Sequence, residues 1–135
     1  MGNETSLSDC SGKVICSIPL KLPGLNDYVA ACRANRFAGA EMKKRVDAEI
    51  GLFVRGLPAF DFPVRITFVW QEANKRRDFD NIAFAKKFIL DALVKEGKLK
   101  DDNRRCVAGF EDRFTYGGEY KVTLIIERND NGHTK

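Results

Sequence analysis

The chain contains a single histidine, His133, and it sits in the polar segment "RNDNGHTK"; the four cysteines, Cys10, Cys16, Cys32 and Cys106, form no Cys-x-x-Cys pair. Each scarcity excludes a chemistry. A Ser-His-Asp or Cys-His nucleophile, or a histidine-ligated zinc, requires at least one imidazole held in place by a core. His133 lies outside every apolar pattern in the chain. Catalysis here must therefore run on carboxylates, lysines or a metal with oxygen ligands. Without a cysteine framework, and with enough apolar residues for a core, the thiols are expected to be reduced and to pack. No stretch approaches the ~20 apolar residues of a membrane span, and the opening "MGNETSLSDCSG" has no cationic start followed by an apolar run. A cytoplasmic protein is the expectation.

What the chain has is a core and a clustered charge. It is 135 residues long, 44% hydrophobic, with ten phenylalanines, which suits one domain. The net charge of +4 is modest and implies an anionic partner only where the cations gather. They gather between Lys75 and Arg105, a stretch holding Lys75, Arg76, Arg77, Lys86, Lys87, Lys95, Lys98, Lys100, Arg104 and Arg105.

Periodicity predicts the elements. "KVICSIPLKL" is β-branched and roughly alternating and stops at Pro23-Gly24, as a strand does. After a loop, the stretch "NDYVAACRANRFAGAEMKKRVDAEIGLFVRG" carries Met42, Val46, Ile50 and Phe53 at spacings of four and three, an amphipathic helix ending near Gly56. Val64, Ile66, Phe68 and Trp70 alternate, predicting a half-buried strand. Ile82, Ala85, Ile89, Ala92 and Leu93 predict a helix from Asn81 to Glu96 capped by Gly97. "RRCVAGFEDRFTY" and "EYKVTLIIE", separated by Gly117-Gly118, predict two closing strands. The order is β-α-β-α-β-β, and the class α+β: a single domain with helices on one face of a small mixed sheet, the last two strands pairing antiparallel. Residues 1–12 are expected to be a disordered lead, 13–127 the folded domain and 128–135 a disordered tail.

The stretch "KRRDFDNIAF" carries the chemistry. If the chain around Asp78 is extended, Asp78 and Asp80 share one face and Phe79 packs on the other. Two adjacent carboxylates repel unless a cation joins them, and oxygen ligands without imidazole or thiolate suit Mg²⁺, with Mn²⁺ as a substitute. The simpler reading makes Asp80 or Asn81 the N-cap of the following helix, which leaves Asp78 without a role. A second acidic pair, Asp101-Asp102, follows that helix. A metal-dependent nuclease needs two or three carboxylates about Mg²⁺ and a Lys or Arg near the phosphate.

"RRDFDN", the helix with "LDALVKEG", then "LKDD", together with the early "PGLNDY", resemble the RusA family of Holliday-junction resolvases, encoded by prophages and bacteria. The resemblance runs from about Lys13 to Glu127, marking 13–127 as a RusA-like nuclease domain. It implies a homodimeric, Mg²⁺-dependent endodeoxyribonuclease that resolves four-way DNA junctions in recombination and repair, with Asp78, Asp80 and Asp102 as catalytic, metal-holding carboxylates. The family's functional lysine stands four residues after the second aspartate, where this chain has Phe84. Lys87, seven residues after Asp80, would face a similar side of one continuous helix, and it precedes "FILDAL" as the family lysine precedes its Asp-Ala-Leu. Lys87 is thus preferred to Lys86 as the functional lysine, and Lys75, Arg76, Arg77, Lys86, Arg104 and Arg105 are the expected DNA contacts. A non-catalytic DNA-binding module is the alternative, since basic residues alone account for binding. Reach leaves two routes for Asp102: back along the helix to its own chain's Asp80, or to the other subunit.

Overall fold

Two strands whose buried apolar residues recur at every second position, Val64–Glu72 and Lys121–Arg128, set the centre of the fold. The computed structural model describes residues 6–7 and 12–129. Among them, β1 (Ser6–Leu7), β2 (Lys13–Ile18), β3 (Val64–Glu72), β4 (Val107–Tyr116) and β5 (Lys121–Arg128) form one mixed sheet in the order β1-β2-β5-β3-β4. The helices are α1 (Leu25–Ala34), α2 (Ala38–Val54), α3 (Phe79–Ala83) and α4 (Lys86–Lys95). The domain is α+β, as its pattern predicts. Ser6–Leu7, inside the stretch expected to be a disordered lead, pairs with Val14 and Ile15, and β5 runs to Arg128 at the start of the expected tail. The rest of the expected lead and tail, 1–5, 8–11 and 130–135, lies outside the described residues.

Alternation decides which side of the sheet is covered. Val64, Ile66, Phe68 and Trp70 of β3 and Val122, Leu124 and Ile126 of β5 are buried against Val46, Ile50 and Val54 of α2 and Ile89, Ala92 and Leu93 of α4. Each Val, Leu, Ile or Phe side chain among them contributes about 1.5–3 kcal/mol by leaving water. Met42 and Phe53 border this core, half-buried, so the four residues that predicted α2 do face inward.

The pairing of the last two strands differs from expectation. β5 is antiparallel to both β2 and β3 and lies between them, while β4 pairs with β3 in parallel. Composition explains the order: β5 presents three fully buried apolar residues, whereas β4 carries Glu111, Asp112 and Arg113 along its middle, charges that suit an edge. The link from β4 to β5 must cross the end of β3, about 10 Å for two strand spacings. Gly117 and Gly118 turn it at φ 101° and 80°, and it is tied to β3 by Gly117 N–H to Glu72 O (2.9 Å) and by Gln71 Nε2 to Glu119 O (2.8 Å).

The helices depart from prediction in two places. The stretch from Asn26 to Gly56, read as one helix, holds two: α1 is separated from α2 at Asn35, whose Oδ1 accepts from the amides of Phe37 and Ala38. The single helix expected from Asn81 to Glu96 is two helices. At the junction Ala85 N–H donates to Ile82 O and Lys87 N–H to Phe84 O, three residues back, before the four-residue pattern resumes at Ile89. The tightened turn lets Phe84 and Phe88 meet the Tyr28 ring of α1, at 5.5 and 6.1 Å between centroids. Equivalence of positions seven apart, which requires one continuous helix, does not hold across it.

α1 is anchored to α3 rather than to the sheet. Asn26 N–H donates to Asn81 Oδ1 at 2.8 Å, a cap supplied from 55 residues away, and Gly24 N–H donates to Asp27 Oδ2 at 2.9 Å. The approach is close: a Cβ on Gly24 would lie 2.5 Å from Asn81 Oδ1 and 2.9 Å from Asn81's backbone oxygen. We predict that Gly24→Ala lowers stability by about 1–3 kcal/mol, the usual cost of overpacking. A denaturant melt unchanged from wild type would show that this contact is not held.

Candidate active site

Glu72, the last residue of β3, faces the helix side of the sheet and is buried. A carboxylate there needs a partner. Arg77, five residues on, supplies it: Nε and Nη2 donate to the two Glu72 oxygens at 2.9 and 2.7 Å, and Nη1 to Leu22 O at 3.1 Å. The hydrogen bond to Glu72 holds the guanidinium further into its charged range. The pair is mostly out of water, with the two side chains 15% and 5% exposed. Arg77, expected as a DNA contact, instead pins the loop that carries Asp78.

With the loop pinned, the chain enters α3 at once. Asp78 is its N-cap, extended at φ −73° and ψ 158°, and its side chain makes no capping hydrogen bond. Asp80 is already helical. The expected extended segment with both carboxylates on one face is therefore not formed, and neither Asp80 nor Asn81 is the cap. Asp80 Oδ1 accepts only its neighbour's amide, from Asn81 at 2.9 Å. Both aspartates are exposed, and among the described residues neither is in an ion pair. Phe79 does not pack inward either: it is 58% exposed and lies on Phe114.

The two adjacent lysines part company. Lys86 turns to the sheet, where Nζ donates to Asp112 Oδ2 at 2.8 Å and stands 4.7 Å from the Phe110 ring centroid. Asp112 Oδ1 also accepts from Trp70 Nε1 at 2.9 Å, so Lys86 closes a structural network over β4. Lys87 turns to the other side, 59% exposed, with Nζ 3.2 Å from both Asp91 Oδ1 and Asp102 Oδ2. Asp102 gets there because the loop after α4 doubles back, Lys98 and Leu99 both donating to Leu93 O. The two members of the second acidic pair also differ. Asp101 is absorbed by its loop, accepting from Asp102 N–H and Asn103 Nδ2, whereas Asp102 points at Lys87.

Behind Lys87 runs an alternating chain of charge that the sequence reading passed over. Lys43 of α2 bridges Asp47 (3.0 Å) and Asp91 (2.8 Å), and Asp91 in turn meets Lys87. The spacing of four in Lys43-Asp47 and Lys87-Asp91 was the available signal. Burial pushes the Asp91 carboxyl up, but hydrogen bonds from Lys43 and Lys87 outweigh it and hold the group below its usual range. Lys87 is raised, first by its hydrogen bond to Asp102 and then by Asp91; Lys43 is raised chiefly by Asp91. These side chains and Asp102 line an open cavity of about 430 Å³.

Asp78 opens on a different cleft, about 330 Å³, with Lys75, Arg77, Phe79 and Tyr116. The candidate residues thus fall into two groups that line separate cavities, Asp78 with Lys75 and Asp102 with Lys87. Among the described residues no three His, Cys, Asp or Glu side chains stand close enough to hold a metal ion together. Arg76 and Arg104 are exposed, and Arg105 lines a third cavity with Lys100 and Phe62. No protein-family model matches the chain, and no curated protein sequence matches it.

Two outcomes test this description. Arg77→Ala strands a buried carboxylate and is expected to cost about 3–5 kcal/mol, while exposed Arg76→Ala stays within about 0.5 kcal/mol; equal effects in denaturant melts would mean that Glu72 is not paired. For Asp91, a folded pKa below the unfolded one contributes stability above about pH 4 that is lost on acidification, and the raised lysines contribute below about pH 10 and lose it above. The stability difference between wild type and Asp91→Asn, about 1 kcal/mol for partly exposed pairs, should be constant from about pH 5 to pH 9 and close below about pH 4. A pH-independent difference would remove the ionic contribution.

Proposed function

We propose that the protein is a RusA-type structure-selective endodeoxyribonuclease, homodimeric and cytoplasmic, that resolves four-way DNA junctions by Mg²⁺-dependent phosphodiester hydrolysis in recombination and repair. The observation that carries the reading is the freedom of Asp78: it occupies a helix N-cap yet makes no capping bond, so its carboxylate and that of Asp80 remain available beside a cationic cleft. Their oxygen-only donor set fits Mg²⁺ or Mn²⁺, with Asp78 and Asp80 as the ligands and Asp102 a third by resemblance. Such an ion, when bound, lowers the pKa of its water and neutralises charge on the phosphate.

The chain's own residues divide the remaining work. Lys87, charged and held by Asp91 and Asp102, is the cation that meets the scissile phosphate as negative charge builds on it. Lys75 and Arg76 follow the backbone on the Asp78 side, and Arg104 and Arg105 extend the contact beyond Asp102. Arg77 acts by position, keeping Asp78 at the end of β3.

The separation of Asp102 from Asp78 favours a second reading, a junction-binding protein without cleavage. In the nuclease reading the two groups close on the substrate, or a second copy contributes its Asp102 across a two-fold axis. Cleavage decides between the readings. On a synthetic four-way junction with Mg²⁺, Asp80→Asn is expected to retain binding and lose at least about 100-fold in single-turnover rate, the scale of one lost transition-state contact. Lys87→Ala should fall similarly, while Lys86→Ala should lose thermal stability and cleave at near the wild-type rate when folded. Wild-type protein that binds junctions and never nicks them would establish the second reading.

A further inference from the structure

Exposed apolar residues are ordinary when isolated, and Phe37 and Leu52 have no aromatic stack of their own. Phe79 is different. It stands between the two candidate aspartates, and its ring lies on Phe114 with centroids 4.2 Å apart and planes 19° from parallel, while 58% of the residue stays in solvent. One face of the ring is held and the other is open. Beside it, Tyr116 stands two residues beyond Phe114 on the same side of β4, and Lys75 Nζ sits 5.2 Å from its ring centroid. Lys75, Asp78, Phe79 and Tyr116 line one cleft.

A flat ring supported from below, next to the Lys75 cation and the Asp78 carboxylate, matches the chemistry of a nucleotide: a base for the ring, a phosphate for the ammonium. Aromatic stacking tolerates any base and is the usual means of holding an unpaired one. Intact duplex offers no free base face, whereas strand exchange points do. Charge complementarity favours this occupant over an apolar peptide, since the Lys75 ammonium and the Arg77 guanidinium line the same cleft.

We propose that Phe79, supported by Phe114, is a stacking platform for an unpaired nucleobase at the branch point of the DNA substrate, and so a specificity residue that distinguishes branched from linear DNA. The proposal rests on the DNA-junction reading above. It places the base beside the phosphodiester that Asp78 and Asp80 face, with Lys75 on the adjoining phosphate.

The test uses the full chain without Mg²⁺ and a four-way junction carrying 2-aminopurine at the branch point, beside a linear duplex of the same sequence. Wild type is expected to quench the probe and to bind the junction more tightly than the duplex. Phe79→Ala should lose the quenching and about tenfold or more in junction affinity, the scale of one stacked base, with duplex affinity unchanged. Phe79→Trp should retain both. Phe79→Leu, which keeps apolar contact with Phe114 but has no ring, should behave as Ala and guards against a folding defect. Equal junction affinity for wild type, Ala and Leu overturns the platform while leaving the junction reading standing. Loss of a dimer on sedimentation in the Ala or Leu variant also overturns it, because the patch would then be a subunit contact. No DNA binding by wild type at any salt overturns the platform and the junction reading together.

Discussion

The ion pair between Glu72 and Arg77 is the constraint on which the candidate site hangs. A carboxylate buried at the end of the central strand demands a cation, and the chain supplies one five residues later with two parallel hydrogen bonds. That bond converts the segment after β3 into a closed loop of fixed exit. Its third donor takes the carbonyl of Leu22, so the same guanidinium also fixes the approach to α1. Asp78, α3 and Asn81 follow from that exit, and Asn81 then caps α1 from below. Truncating one partner of such a pair is costly because the other is left charged and dry; the site therefore inherits its order from a residue that a reading of charge alone assigns to DNA.

Adjacent lysines show how little a local charge count decides. Lys86 and Lys87 are chemically identical neighbours, but a step of about 100° along a helix sends one to Asp112 over the edge of the sheet and the other to Asp102 over solvent. Lys86 is surrounded by rings and a shared carboxylate, which makes it part of the packing of β4. Lys87 belongs to a relay that begins at Lys43 and Asp47 in a different helix. The carboxylates of that relay keep the ammonium charged and confine where it points, which is what a phosphate-binding group requires before substrate arrives.

Strand order has a similar logic. The sequence places β4 before β5, yet the more apolar β5 takes the central position and β4, with its three consecutive charged residues, becomes the edge. Placing β4 there leaves Phe110 exposed and Phe114 half-buried beneath Phe79, so the aromatic surface beside Asp78 is a by-product of where the polar strand could go. The short crossing over β3 is possible only because two glycines adopt positive φ.

What the sequence determined by itself is whatever repeats within ten or so residues. The alternation of Val64, Ile66, Phe68 and Trp70 and the three-and-four spacing of Met42, Val46, Ile50 and Phe53 identified a strand and a helix with the right faces inward. The absence of a placed imidazole and the Asp-x-Asp behind a run of cations pointed to carboxylate chemistry. Tertiary structure alone decided the partner of Arg77, the split of the predicted helix at Phe84, the parallel pairing of β4 and the meeting of Asp102 with Lys87. Periodicity is a property of neighbouring residues, set by backbone geometry. The identity of a salt-bridge partner or a neighbouring strand depends on which distant segments the whole core brings together, and it is settled only when every buried group has found its place.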